Sequence, residues 1–145
     1  MERVVVRKPG DISRLEFETL TPPNPGPGEV RLRVEASGVN FADLVARMGM
    51  YQDAPPFPMG LGYEVAGIVD ALGDGVDAHW MDAPVVSLTQ FTGYASHVVV
   101  PVSWMARRPD LMSAAIGASI PVTGLTAWMM LEEMGRVRTG DRVLV

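Results

Sequence analysis

Glycine and proline fall in two dense clusters, Thr21 to Glu29 (TPPNPGPGE) and Asp53 to Gly62 (DAPPFPMGLG). Such clusters stop regular elements, so the chain between them must fold as short pieces. Those pieces alternate apolar and polar residues. Val30, Leu32, Val34 and Ala36 interleave with Arg31, Arg33 and Glu35, and Leu15 and Phe17 with Arg14, Glu16 and Glu18. Period two is the signature of a half-buried antiparallel strand. Val4 to Val6, Tyr63 to Leu72 (broken by Gly67), Pro84 to Leu88 and Tyr94 to Val100 read as further strands. Short strands at near-regular spacing predict a small barrel or sandwich over the first hundred residues.

Helical spacing interrupts this pattern twice. Asn40 is a good N-cap, Phe41, Leu44, Val45 and Met48 follow at helical intervals, and Gly49 stops the run. A second region, from near Asp110 to about Met134, is divided by Pro121 and Gly124 into two helices. The second of these, LTAWMMLEEM, is apolar on most sides and is expected to be buried between layers. Met129, Met130 and Met134 read as core fillers. Arg142 to Val145 reads as the start of a strand, and a chain stopping inside a hydrophobic strand reads as truncated.

Charge and composition exclude several classes of function. A net charge of −5 leaves no basic stripe for phosphates, so nucleic acid is not an expected partner. No apolar run is long enough to span a membrane, and the N-terminus MERVVVRKPG lacks the apolar core of a signal peptide. With no cysteine there is no disulfide, no thiolate nucleophile and no Cys-held zinc. A cytoplasmic protein is the expectation.

Four ordered segments carry a family resemblance: Ala36 to Tyr51 (ASGVNFADLVARMGMY), Pro56 to Val76 (PFPMGLGYEVAGIVDALGDGV), Pro121 to Leu131 (PVTGLTAWMML) and Gly140 to Val145 (GDRVLV). Together they resemble the medium-chain dehydrogenase/reductase superfamily, and within it the zinc-free quinone oxidoreductase branch. The resemblance implies a mainly β fold with helices: a GroES-like β-barrel over residues 1–109, then connecting helices and the first strand of a missing Rossmann domain over 110–145. It also implies NADPH as cofactor of the full-length parent and a small quinone or enone as substrate. Zinc-dependent relatives carry Cys at Asn40 and His at Tyr63. One remaining carboxylate, Glu64, does not hold zinc, so no metal is expected.

The same resemblance singles out three residues. Tyr51 is at a position similar to one that lines the cofactor and substrate cleft, and a phenol, protonated at neutral pH, can donate to oxygen as charge builds there. It is the expected catalytic residue, and its plain alternative is packing on the Pro55, Pro56 and Phe57 loop. Asn40 and Thr126 are the further expected cofactor contacts. Asn40 also has its capping role, and Thr126 has the alternative of a hydroxyl bonded to a carbonyl one turn back. His79 and His97 read as ordinary solvated or strand histidines, and nothing in the sequence brings Asp43 and Glu64 together.

The chain alone is expected to be inactive, because the phosphate-binding glycine turn is not among its residues. Its apolar C-terminal surface is expected to drive self-association, and family habit suggests a homo-oligomeric parent. The competing functions are an enoyl-thioester reductase of the same superfamily, a GroES-like partner-binding protein, and a vesicle-associated relative without turnover.

Overall fold

The computed structural model describes residues 1–144. Eight strands follow in chain order: β1 (Glu2–Val6), β2 (Leu15–Thr19), β3 (Glu29–Ser37), β4 (Met59–Gly60), β5 (Glu64–Leu72), β6 (Pro84–Leu88), β7 (His97–Pro101) and β8 (Met105–Arg107). They make a three-stranded sheet in the order β2-β1-β4 and a five-stranded sheet in the order β7-β3-β5-β6-β8. Every pairing is antiparallel. Arg3 and Ala95 form a bridge between the sheets, flanked by Val4 N–H to the Tyr94 carbonyl and Ser96 N–H to the Glu2 carbonyl, both 2.8 Å. Tyr94 to Ser96 are spent on that junction, which is why β7 starts at His97 rather than at the expected Tyr94.

The alternation places the core. Val30 and Leu32, Val65 and Val69, Val85, and Val98 and Val100 point inward from four adjacent strands and form one buried cluster. Burying each such side chain contributes about 1.5–3 kcal/mol, so this cluster sets the register of the five-stranded sheet. A second cluster, Val6, Ala46, Met59, Leu61 and Phe91, lies under the first helix. β2 departs from its pattern. Phe17 is 83% exposed, and Glu18 is half-buried through ion pairs with Arg3 and Arg7. On an edge strand the cross-strand pair with Arg3 decides which face turns in.

Gly67 does not break β5. The strand runs unbroken past it; the register shifts opposite it, between Val34 and Ala36 of β3, and again between Arg31 and Leu32, where β5 has the extra residue Asp70. A Cβ at Gly67 would overlap the Arg33 carbonyl, so the glycine permits close approach of two backbones.

The helices correct the sequence reading at several points. Helix α1 (Phe41–Arg47) begins after Asn40 as expected, but it is turned the other way. Asp43 and Ala46 are buried, whereas Phe41 is 78% exposed and Leu44 and Met48 are also exposed. After the short α2 (Ala114–Gly117), helix α3 (Pro121–Trp128) has Pro121 in its first turn and passes through Gly124 without a break. It then continues as a π-helical segment, Met129–Met134. Leu125, Trp128, Met129, Met130, Leu131 and Met134 are all exposed, against the expected burial, because no described residue covers that face. Arg142 to Leu144 form no strand, since they have no ladder partner among the described residues. The expected strand's last residue, Val145, lies outside them. No described helix is long and apolar enough to cross a membrane.

Substituting Gly67→Ala is expected to cost about 2 kcal/mol or more, because backbone must move to admit the methyl group. Urea denaturation of the variant and the parent measures this.

Candidate functional site

The site is built around two buried carboxylates. Asp43 and Glu64 are each 2% exposed, and neither takes part in a salt bridge. A buried carboxylate is tolerable when each oxygen receives a donor. Asp43 Oδ2 accepts from Asn40 N–H at 2.9 Å and Oδ1 from Gly62 N–H at 2.8 Å. Glu64 Oε1 accepts from the Asn40 Nδ2 amide at 2.9 Å and Oε2 from Val122 N–H at 2.8 Å. Asn40 therefore joins the two acids, Asp43 through its backbone and Glu64 through its side chain.

Each contact has a local cause. Asp43 is the third residue of α1, where a carboxylate reaches back to the cap N–H in a capping box. Val122 is in the first turn of α3, where backbone N–H groups lack intrahelical partners. Glu64 supplies one and so docks α3 on β5. Gly38 closes the arrangement, because a Cβ there would overlap the Glu64 carboxyl. Asp43 and Glu64 are 21 positions apart, and the sequence reading left them unconnected. The available signal was a capping-box acid, Asp43, three residues after Asn40.

An aromatic group stands beside this network. Tyr51 meets Tyr63 edge to face at 6.1 Å and Phe91 at 6.4 Å, and Tyr63 lies 4.9 Å from Phe91. Tyr51 is half-buried and packs on the Phe91 cluster together with Phe57, the packing role its sequence position allowed. Phe91 has φ 59°, a left-handed conformation that bulky residues seldom adopt. The segment around it is fixed by Thr89 N–H to the Tyr63 carbonyl at 2.7 Å and the Thr89 hydroxyl to the Gly62 carbonyl at 2.9 Å.

Tyr63 and Tyr94 carry buried hydroxyls that meet no partner in hydrogen-bond geometry among the described residues. Burial pushes the Tyr63 phenol well above the ordinary tyrosine value, with further upward pushes from Tyr51 and Asp43. Burial and then Asp43 do the same to Tyr94. Both phenols stay neutral.

Asn40 and Glu64 are hydrogen-bonded to each other, and Tyr51 meets Tyr63, the residue directly before Glu64. Thr126 lies one turn beyond Val122 on α3 and is exposed. The back-bonded hydroxyl on this helix belongs to Thr123, which donates to the Ser119 carbonyl. His97 lies 3.5 Å from Asp70 and His79 2.9 Å from Asp77, both away from the acids. No described cluster of three or more His, Cys, Asp or Glu could hold a metal.

Residues 26–110 match the alcohol dehydrogenase GroES-like domain. This chain belongs to that family. Its relatives include the human synaptic vesicle membrane protein VAT-1 homolog-like, 36% identical over 145 residues, which is all of this chain and 35% of the relative. The crystal structure of that human protein superposes with a TM-score of 0.92 at 35% identity, covering 97% of this chain and 45% of that one. Escherichia coli quinone oxidoreductase, solved with NADPH, is 30% identical with a TM-score of 0.86 over 92% of this chain and 41% of that one. CurK enoyl reductase is 26% identical with a TM-score of 0.91, over 97% and 45%. The chain spans about a third of the length of the curated relative. The GroES-like fold and the quinone oxidoreductase-like medium-chain dehydrogenase/reductase family implied by the sequence motifs are both confirmed.

Removing an unpartnered buried hydroxyl is expected to leave stability unchanged or raised, so Tyr63→Phe and Tyr94→Phe should each melt no lower than the parent at neutral pH. Because both folded pKa values are raised, an unfolded tyrosine releases its proton first, from about pH 10 upward. Stability is therefore intact below that pH and falls above it. The double variant should lose less, as read by Tm against pH.

Proposed function

We propose that this chain is the substrate side of a zinc-independent, NADPH-dependent oxidoreductase acting on quinones or α,β-unsaturated carbonyls. In this reading residues 1–109 form the substrate-side domain, and 110–145 connect it to a nucleotide-binding domain. The family and the quinone oxidoreductase relative support the oxidoreductase class.

One observation carries the zinc-free part. Both oxygens of Glu64 already accept N–H donors, Asn40 offers an amide, and the Tyr63 ring is packed on Phe91. That donor set does not suit zinc, which takes thiolate, imidazole or open carboxylate ligands. The residues suit the nicotinamide end of a cofactor better, with Tyr51 half-buried at the aromatic group, Asn40 bound to Glu64 and Thr126 exposed on α3. Bound NADPH supplies a hydride. Reduction of such a substrate would build negative charge on its carbonyl oxygen, the charge that this chain's own residues would have to meet. The Tyr51 phenol donates to that oxygen, stabilising the developing enolate or phenolate more than the neutral carbonyl. Phe91 and Tyr63 hold the Tyr51 ring, and Asp43 and Glu64 hold Asn40 and α3. The 145 residues alone bind no nucleotide and turn nothing over in this reading.

An enoyl-thioester reductase is the second reading, favoured by the superposition on CurK enoyl reductase. Its substrate is also an α,β-unsaturated carbonyl, so the Tyr51 role carries over. In the full-length reductase Tyr51→Phe is expected to lower kcat about 10²–10³-fold with KM little changed. NADPH oxidation with a panel of quinones, enones and enoyl thioesters measures this. Unchanged kcat on every substrate would remove Tyr51 as the donor.

A further inference from the structure

A cleft of about 360 Å³ opens beside the aromatic group, lined by Tyr63, Leu88, Thr89, Gln90, Trp104 and Val122. Trp104 is its least expected wall. The indole is 43% exposed, although local structure places its backbone: it ends a 3-10 turn, Val102–Trp104, and its carbonyl lies 3.2 Å from the buried Ser87 hydroxyl, whose shorter bond, 2.8 Å, goes to the Leu88 carbonyl. A large aromatic kept half-bare on such a backbone presents a flat apolar face with only its own side-chain torsions to order on binding. Tyr63 lines the same cleft and touches Tyr51, so the cleft adjoins the proposed proton donor. Val122 lines it from the first turn of α3, where Glu64 holds the backbone.

The polar groups narrow the ligand further. The Thr89 hydroxyl is spent on the Gly62 carbonyl, and the Tyr63 hydroxyl is buried. The exposed Gln90 amide is then the polar group free to meet a ligand. An aromatic face with one amide suits a flat ring carrying a carbonyl. The volume is at the small end of ligand sites, which fits one or two rings.

Resting on the oxidoreductase reading above, we infer that Trp104 is a substrate-specificity residue, stacking on the ring of a one- or two-ring quinone whose carbonyl meets the Gln90 amide. The preference for ring quinones over open-chain enoyl thioesters follows from that stacking.

The test uses the 145-residue chain with Trp80→Phe and Trp128→Phe, which leaves Trp104 as its single tryptophan. Titration with 1,4-naphthoquinone should quench Trp104 fluorescence saturably, and a crotonyl N-acetylcysteamine thioester should not. By calorimetry on the otherwise native chain, Trp104→Ala should weaken naphthoquinone binding about tenfold. Trp104→Phe should stay within about threefold, because a ring remains to stack. Absence of saturable quenching, equal affinity of Trp104→Ala and the parent, or a thioester bound more tightly than the quinone would each overturn the inference. Quinone turnover by the full-length reductase that survives Trp104→Ala unchanged removes Trp104 but leaves the proposed activity standing. Absence of quinone turnover in the unmodified reductase removes the activity itself.

Discussion

Two carboxylates without a cation organise this molecule. Burying a carboxyl group without donors is costly, and the chain offsets that cost with four N–H donors from three residues. Asp43 draws on the Asn40 and Gly62 backbones, and Glu64 on the Asn40 amide and Val122. Those donors come from the α1 cap, the turn before β5 and the start of α3. Removing either acid would leave two donors without an acceptor at once, which is more damaging than losing a single surface ion pair. The arrangement is therefore a joint as well as a site.

The joint explains why the aromatic side chains can be functional rather than merely packed. Tyr63 directly precedes Glu64, and Gly62 directly precedes Tyr63, so both neighbours of Tyr63 are tied to the acid network. The ring beside Tyr51 and Phe91 is consequently fixed in position. Val122 carries the same constraint into α3, which brings a second wall to the cleft.

Much of this fold was legible in the sequence because a half-buried sheet imposes period two on its residues. β3 and β6 were readable from the alternation of Val30, Leu32 and Val34 and from Pro84 to Leu88. What failed depended on distant partners. α1 showed apolar residues at helical spacing, yet it buries Asp43, because two N–H donors outweigh the apolar face of an exposed short helix. The two-residue strand β4 and the three-residue β8 are too short to show a period. α3 looked like a buried helix, and its Leu125 and Trp128 are exposed. For the candidate site, Asn40, Tyr51 and Thr126 were named from family motifs as expectations, and of these the structure ties Asn40 directly to Glu64. The link from Asp43 through Asn40 to Glu64 could not be named, since local sequence does not encode where a strand places a glutamate against a helix cap.

Backbone amide hydrogen exchange at Val122 and Gly62 reads out one donor of each buried acid. Val122 is in the first turn of α3, and the acceptor of its N–H is Glu64 rather than a carbonyl of its own helix, so its exchange reports that contact. The account predicts that both amides are protected to the same order as the core strand residues Val65 and Val69. Exchange at Val122 as fast as that of an open loop would contradict it, because α3 would then be docked without the carboxylate on which the site depends.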